Sequence, residues 1–467
     1  MWSGTFLRGS SDACCGSAFK IREFSKSFIG SLLWFDVMTP QDNIMIVAPI
    51  RPEQEIELRQ LLHSMNGECG IYDHSNTLVP FHRLDTLHFA RFVILEDNTR
   101  EDLLAYGEKL APSGKSLALL CDFDGPSHQF LQNLSRLAPA GLLKIFSCCN
   151  KGPTSANLHS WLESHNIRAS ACYVNWIGRT VIQVREEQLL YSALDKHIDY
   201  LPTKSSIREV WSSLREYVAS ECNAGRLHLT PEQPTPIAWR ISNLVHLIGI
   251  PFVLLLLSPF LLLYLPFFLL QLRVQEKTDP VIAPRPSIGH AHELAVLEDH
   301  MLTNQFSAYG NLKPGIFRRL TITVVFIAID YTARHIYKRG FLARVVTIHF
   351  ARWVFIDRKS RAFFASNYDG SLEAYMGDFI NKVAWGLNIV FSNGLGYPRT
   401  NWLIKQGAKD ELTFKDYLRR HQLPTQVWYN SSPGLTAGDM ERNARIRIGL
   451  EKPWLSDADL YQWINLF

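Results

Sequence analysis

The stretch TLHFARFV at residues 86–93 returns almost unchanged as TIHFARWV at residues 347–354. Its β-branched and aromatic residues predict a strand in each copy. An Asp-Gly pair follows both copies, as Asp124-Gly125 and Asp369-Gly370. The remaining matches keep one order: Phe130 with Tyr375, Gly141-Leu142 with Gly386-Leu387, residues 161–165 with 417–421, and Tyr173 and Gly178 with Tyr429 and Gly434. The chain therefore contains two copies of one unit.

The pattern of the first copy predicts the element order βαββαβ, which is that of a ferredoxin-like unit. Helices are expected from Pro52, because proline suits the first helical position, and from Ser127, where apolar residues recur at helical spacing. A further helix near Trp161 and a strand near Tyr173 follow. Short apolar runs predict the four strands of the unit at residues 44–48, 86–93, 117–121 and 142–146.

The second copy predicts the same order with a longer helix, from Pro314 to about Tyr337. Residues 320–329 of this helix also fit a strand, because they form a short apolar run. Residues 425–430 combine aromatic and polar side chains, so they are either a core strand or the wall of a pocket.

Between the copies, residues 244–270 contain no Asp, Glu, Lys or Arg. One helix of this length, about 40 Å, exceeds a hydrocarbon core of roughly 30 Å, so we expect a membrane segment. Pro251, Pro259 and Pro266 divide it and favour a bent or re-entrant course over a single span. Paired copies would then lie on the same side of the membrane.

We therefore predict an α+β protein in which two ferredoxin-like βαββαβ repeats pair into an α+β barrel-like core, with a membrane-embedded helical segment between them. A capping box at Ser206 and Glu209 begins a predicted amphipathic helix before the membrane segment. The predicted divisions are an N-terminal extension at 1–40, repeat one at 41–195, a linker helix at 196–240, the membrane segment at 241–273, a loop-like linker at 274–294, repeat two at 295–452 and a C-terminal tail at 453–467.

Composition excludes some function classes. The net charge of +4 comes from 48 basic and 44 acidic residues, which is too balanced to indicate nucleic acid binding. The 8 cysteines form no C-x-x-C pair, so reduced thiols are expected rather than a disulfide framework or a zinc site. Cys14 and Cys15 are weak candidates for acylation. The N-terminus does not resemble a secretory signal, because charged and polar residues interrupt its apolar run.

Paired ferredoxin-like units resemble the dimeric α+β barrel superfamily, which includes dye-decolourising peroxidases and chlorite dismutase-like haem proteins. The peroxidases carry a G-x-x-D-G motif, and Asp369-Gly370 and Asp124-Gly125 keep its last two residues. Ser366 and Cys121 replace its first glycine. The resemblance implies that Asp369 acts catalytically at the distal face of a haem.

A haem would also need a proximal ligand, which is most often a histidine. His421 is the first candidate for this metal ligand, with His349 as a second cofactor-binding residue and Arg352 as a catalytic one. Each has a structural alternative. The Asp-Gly pairs are also typical of turns before helices. A histidine such as His421 is also favourable at a helix C-terminus. His88 and His349 could be buried core histidines that face the same side of their strands as Phe92 and Trp353. Arg91 and Arg352 fit ion pairs with carboxylates such as Glu96 and Asp357, or an anion site.

Three functional hypotheses remain open. The first is a haem-dependent, peroxidase-like enzyme at a membrane. The second is a non-catalytic module that binds an apolar small molecule or lipid, and the third is a scaffold that recruits partners. All three include contact with a lipid bilayer, exclude nucleic acid, allow a homo-oligomer and place the soluble repeats on the cytoplasmic side.

Overall fold

The computed structural model describes residues 38–110, 114–202, 206–337, 342 and 344–467 of this 467-residue chain. Over these residues the chain is an α+β protein with two antiparallel four-stranded sheets and one long apolar helix. The predicted extension at residues 1–40 lies almost entirely outside the described residues, as do Cys14 and Cys15.

The sheet order is β1-β3-β2-β10 in the first sheet and β4-β6-β7-β5 in the second, with β8 and β9 as a separate small hairpin. These strands are β1 Gln41–Pro49, β2 Leu87–Leu95, β3 Ser116–Asp124, β4 Ala171–Val174, β5 Thr303–Asn311, β6 Ile348–Ile356, β7 Arg361–Asp369, β8 Thr400–Asn401, β9 Lys405–Gln406 and β10 Thr425–Asn430.

The described residues also form thirteen α-helices. They are α1 Glu55–His63, α2 Ser127–Leu137, α3 Pro139–Phe146, α4 Leu158–Ser164, α5 Val181–Ile198, α6 Ile207–Asn223, α7 Ile237–Thr278, α8 Ile288–Leu297, α9 Ile316–His335, α10 Leu372–Phe391, α11 Glu411–His421, α12 Ala437–Glu451 and α13 Asp457–Ile464.

Each sheet takes its fourth strand from the other half of the chain. β4 pairs with β6, with Tyr173 opposite Ala351, and β10 pairs with β2, with Tyr429 opposite Ala90. Tyr173 and Tyr429 are equivalent positions in the two copies, so the exchange is reciprocal. Neither half completes a four-stranded sheet by itself, and the predicted boundary between the repeats does not separate two independent sheets.

The two sheets pack on each other through one face, while helices cover the other face of each. The cluster between the sheets includes Met45, Val93 and Leu120 from the first sheet, and Val354 and Phe363 from the second. Because both faces are buried, β2 and β3 are mostly apolar instead of alternating with polar residues.

The prediction of a strand at residues 142–146 is wrong, because these residues belong to α3. Pro139 begins this helix, where its missing N–H costs nothing, and Leu142, Ile145 and Phe146 face the core. The predicted helix from Ser127 is confirmed as α2. Ala138, between the two helices, has a non-helical backbone with φ −129° and ψ 46°.

The second half has the same break inside α10, at Val383, where φ is −142° and ψ is 27°. Val383 follows Asp369 at the same distance along the chain as Ala138 follows Asp124. The helix predicted from Pro314 is confirmed as α9, and the strand alternative for residues 320–329 is wrong. Both halves therefore have a broken helix after the Asp-Gly pair, and the first half has it where a strand was predicted.

The apolar segment forms part of one helix, α7, which has 42 residues and is about 63 Å long. It passes through all three prolines, so the expected re-entrant bend is wrong. Of the helices in the described residues, this one is long and apolar enough to cross a membrane. The predicted loop after it is also partly wrong, because α7 continues to Thr278 and α8 begins at Ile288.

The predicted linker helix is confirmed as α6, with its capping box at Ser206 and Glu209. Its buried face, including Trp211 and Leu214, packs against Ile446 and Trp463 near the C-terminus. The expected C-terminal tail is therefore part of a helical cluster, and the predicted boundary at residue 196 falls inside α5.

Candidate functional site

Two His–Asp pairs occupy equivalent positions in the two halves. His88 Nε2 lies 2.9 Å from Asp124 Oδ1, and His349 Nε2 lies 2.6 Å from Asp369 Oδ1. The second oxygen of each carboxylate accepts a hydrogen bond of 2.8 Å from the first backbone N–H of α5 or α12. Negative charge is stabilised at a helix N-terminus. Each aspartate therefore joins a strand end, a histidine and a helix, which is a structural role.

The Asp-Gly motif itself forms a turn. Gly125 and Gly370 have φ values of 85° and 82°, in the left-handed region that favours glycine. After each glycine the chain turns into α2 or α10. In this structure each Asp-Gly pair forms a turn, and its aspartate binds the start of a helix.

A β-bulge alters where the histidines point. The register shifts between Leu87 and Phe89 and between Ile348 and Phe350. The expectation that His88 shares the face of Phe92 is therefore wrong. Its ring lies beside that of Phe350 from the other half, with centroids 5.3 Å apart, so the histidines lie at the junction of the two halves.

Arg352 crosses from the second sheet into the first. It donates hydrogen bonds to the carbonyl oxygens of Ile44 and Cys121, at 2.6 and 3.0 Å, and forms a buried ion pair with Asp122. The expected ion pair of Arg352 with a carboxylate is confirmed, although the partner is Asp122 and not Asp357, which pairs with Arg361 at the sheet rim. Arg352 therefore joins the sheets and does not line a catalytic pocket.

Arg91 reaches in the opposite direction, from the first sheet into the second, and all its hydrogen-bond acceptors there are uncharged. It donates to the carbonyl oxygens of Phe306 and Ser366 and to the side chains of Ser307 and Asn367. Asn367 occupies the position equivalent to Asp122. Asp122 is therefore the one carboxylate in these contacts of the two buried arginines. Burial lowers the pKa of the Arg91 guanidinium to about 9. The expected partner of Arg91, Glu96, instead pairs with Lys115.

His421 ends α11 and is buried. Its Nδ1 lies 2.8 Å from the carbonyl oxygen of Tyr417, and its Nε2 lies 3.4 Å from Thr99 Oγ1. A Cβ atom on Gly310 would come within 2.4 Å of the ring, so β5 packs directly on it. Burial lowers the pKa of His421 to about 4, so the side chain is neutral near pH 7.

Asp369 and His421 lie at opposite ends of β5. Thr303, the first residue of β5, pairs with Asp369, whereas Gly310, seven residues further along, contacts His421. Seven strand residues span about 23 Å. The structure thus brings Asp369 and His349 together and keeps His421 apart from both.

The residues expected to hold a haem do not fit one. The cavity next to His421 has a volume of about 50 Å³, whereas ligand pockets usually have roughly 300–1,000 Å³. Asp369 is occupied by its histidine and its helix. The described residues include no group of three or more His, Cys, Asp or Glu arranged to hold a metal ion.

An apolar pocket of about 160 Å³ lies between the second sheet and helices α9, α10 and α11. None of the described residues that line it is charged. A cavity of roughly 150 Å³ with similar walls can bind benzene in another protein. Its wall includes Phe306, Ile329, Trp353, Trp385, Gly386 and Leu387. Because Trp385 is 50% exposed, the pocket reaches the surface beside it.

The first half fills the equivalent space with its own chain. Its equivalent of Gly386 is Gly141, where an added Cβ would come within 1.7 Å of the Leu78 carbonyl oxygen. Phe81, from the same segment, packs on Phe92 with ring centroids 6.2 Å apart. This segment belongs to the connection at residues 64–86, which is about twice as long as the equivalent connection at residues 336–347.

Helix α9 separates this pocket from an exposed apolar surface. On its inner side, Ile322, Phe326 and Ile329 belong to or pack on the core of the second half. Its outer side exposes the apolar side chains of Ile316, Leu320, Val324 and Ile327. A helix that is apolar on both sides is typical of a position between a protein core and a membrane.

Helix α7 lies beside α9 and extends this surface. His246 Nδ1 is 2.8 Å from His335 Nε2, and the rings of Phe268 and Phe317 are 5.3 Å apart. Between these contacts α7 exposes an almost unbroken run of leucine and phenylalanine, with Leu263 82% exposed. An apolar patch this large marks a membrane or protein contact.

Both ends of α7 are fixed to the same body. Near its C-terminus the buried Glu276 accepts hydrogen bonds from Thr400 Oγ1 and from the backbone N–H groups of Trp402 and Leu403, at 2.9, 2.9 and 2.7 Å. Just before its N-terminus, Thr235 Oγ1 accepts a hydrogen bond of 2.9 Å from the Met38 backbone N–H.

A larger cleft of about 860 Å³ lies near the start of α7. Asp42, Asp122 and Asp124 line it, but each already accepts hydrogen bonds from within the fold. The cleft therefore presents no unpaired carboxylate from these three residues.

The apolar pocket was not predicted from the sequence. The signals that could have indicated it are the shorter connection in the second half and the replacement of Phe92 by Trp353 at the equivalent position. No family model matches this chain, and no curated protein matches it.

Proposed function

We propose that this protein attaches to one surface of a membrane through α7 and the outer side of α9, and binds an apolar molecule in the pocket behind α9. One observation carries the proposal. The second half has a pocket where the first half inserts its own Leu78 and Phe81, and the wall of this pocket is a helix whose other side is exposed and apolar. The bound molecule would replace the missing segment.

The proposal includes the finer features of the fold. The repeated βαβ order, the exchanged strands and the crossed arginines support a pair of ferredoxin-like units in a barrel-like core, of the kind found in the dimeric α+β barrel superfamily. The free thiols of Cys121, Cys148, Cys149, Cys172 and Cys222 support a cytoplasmic location, because reduced cysteines are typical of a reducing compartment.

In-plane attachment follows from the contacts of α7. A helix that crossed the bilayer would carry its two ends to opposite sides, but the anchors at Thr235 and Glu276 belong to one body. The apolar run is then buried sideways at the level of the headgroups and upper acyl chains, as in monotopic proteins.

The pocket is tested with isopropylbenzene as a probe, added to the full-length protein in lipid nanodiscs. We expect saturable binding by NMR in wild type and its loss in Leu387→Trp, which fills the pocket with a larger ring. The matched control is Leu412→Trp on the exposed surface of α11, where the leucine is 66% exposed. Equal binding by all three proteins, or by none, would refute the proposed pocket.

A further inference from the structure

The small hairpin of β8 and β9 lies against the C-terminal end of α7. Glu276 of α7 accepts hydrogen bonds from the backbone N–H groups of Trp402 and Leu403, at 2.9 and 2.7 Å. Both hairpin residues have a left-handed backbone, with φ values of 56° and 62°, which such contacts must stabilise. The hairpin thereby exposes the side chains of Trp402 and Ile404, by 45% and 44%. Tryptophan is enriched where proteins meet the boundary between lipid and water.

Three exposed basic side chains, which we call the basic rim, lie near this end of α7: Lys277, Arg319 and Lys405. Lys277 directly follows Glu276, and Lys405 belongs to β9 of the hairpin. Arg319 lies on the outer side of α9, because it comes three residues after the exposed Ile316. No carboxylate among the described residues forms an ion pair with any of the three.

The carboxylates at the same end of α7 are paired within the fold. Glu276 is buried and binds the hairpin, while Asp279 forms ion pairs with Lys313, at 3.0 Å, and with Arg318 of α9. The unpaired charge beside the exposed apolar surface of α7 and α9 is therefore positive. Basic residues next to a membrane-contacting surface are attracted to anionic headgroups.

We propose that the leaflet to which the protein attaches is anionic, and that the basic rim binds its phosphate-bearing headgroups. Trp402 and Ile404 then enter the layer between headgroups and acyl chains and continue the apolar surface of α7. The cytoplasmic leaflet is rich in anionic lipids, which agrees with the proposed location. This inference rests on the proposed attachment through α7 and α9 and adds the class of lipid to it.

The test uses the full-length protein in phosphatidylcholine bilayers with a trace of spin-labelled phosphatidylserine or spin-labelled phosphatidylcholine. Electron paramagnetic resonance measures the fraction of each labelled lipid whose motion the protein restricts. In wild type this fraction should be about two- to fivefold larger for phosphatidylserine, because one basic residue near the surface contributes roughly fivefold and the signal averages over all lipid contacts. In the rim variant, which combines Lys277→Gln, Arg319→Gln and Lys405→Gln, the two fractions should be nearly equal.

The control variant combines Arg83→Gln, Lys144→Gln and Lys151→Gln, at three exposed basic residues of the first half, and lowers the net charge equally. It should keep the wild-type preference, and added salt should weaken that preference by screening. If wild type restricts both lipids equally, if the rim variant keeps the preference, or if the control loses it, the lipid class is overturned and the attachment stands. If wild type restricts neither lipid, both are overturned.

Discussion

At the scale of single residues, the buried charges between the sheets carry the largest consequences. Arg352 and Arg91 have one carboxylate between them, because the repeat that places Asp122 in the first half has Asn367 in the second. A buried ion pair adds little net stability, but the loss of one partner leaves an uncompensated charge. Asp122 is therefore more sensitive to substitution than any exposed carboxylate.

The substitution Asp122→Asn should lower the free energy of unfolding by about 3–5 kcal/mol, since it leaves two buried guanidinium groups without a carboxylate. Urea denaturation followed by circular dichroism measures this change. Asp85→Asn is the control, because the Asp85 side chain is 69% exposed. A loss below about 1 kcal/mol in Asp122→Asn would contradict the role assigned to this pair.

His421 should make the fold sensitive to acid. Its folded pKa of about 4 lies below the ordinary value of 6.5, because burial disfavours the charged form. The unfolded chain therefore binds a proton first, and stability falls as the pH drops from about 6.5 towards 4. At pH 5 this should cost about 2 kcal/mol relative to pH 7.

In His421→Gln the loss of stability between pH 7 and pH 5 should disappear, although we expect the variant to be less stable than wild type at both pH values. Urea denaturation at pH 7 and pH 5 gives the difference directly. His300→Gln, at an exposed histidine, should keep the wild-type difference. An unchanged pH dependence in His421→Gln would show that another group is responsible.

At the scale of elements, the proposed contact with the membrane depends on α9. It packs its inner side on the second core and presents an apolar stripe outward, next to α7. If α7 lies in the membrane plane, the outer side of α9 lies at the lipid as well. If α7 crosses the bilayer and leaves α9, that stripe stays in water.

A fluorescent label at Val324→Cys should be quenched by a quencher attached to lipid acyl chains, because this side chain faces outward from α9. The same label at Ile56→Cys, on α1, should be quenched several-fold less. Both native side chains are exposed, at 66% and 74% respectively, so accessibility is matched. Equal quenching at the two positions would rule out contact between α9 and lipid.

At the scale of the whole molecule, the exchanged strands bind the halves into one unit. β4 of the first half and β10 of the second complete each other's sheets, and the two arginines cross between them. A bilayer between the halves would separate paired strands and buried charges. If the protein attaches to a membrane as proposed, we therefore expect both halves to lie on one side of it.

Single cysteines at Asn98 and Lys405, which are exposed in the first and second halves, test this. An impermeant maleimide is added to sealed vesicles and, separately, to opened ones. In each case it should label the two positions to the same extent. The matched pair of variants controls for vesicle orientation. Labelling of one position outside and the other only after the vesicles are opened would refute the arrangement.

Sequence patterns correctly predicted the strands that contain most of residues 86–93 and 347–354, most of the helices, and the apolar segment. These are local patterns, and the spacing of apolar residues or the absence of charge is enough to reveal them. Local patterns also led to a wrong prediction of secondary structure. Residues 142–146 resemble a buried strand, yet Pro139 and the core-facing spacing make them a helix.

The contacts made by the residues common to both halves became visible only in the folded chain. The Asp-Gly pairs clamp helices because α5 and α12 return to them from far along the chain, and Arg352 finds Asp122 in the other half. The pocket lies where the first half places the Leu78 segment against Gly141, and the connection in the second half is shorter. Such contacts join residues that are remote in sequence, so no local pattern records them.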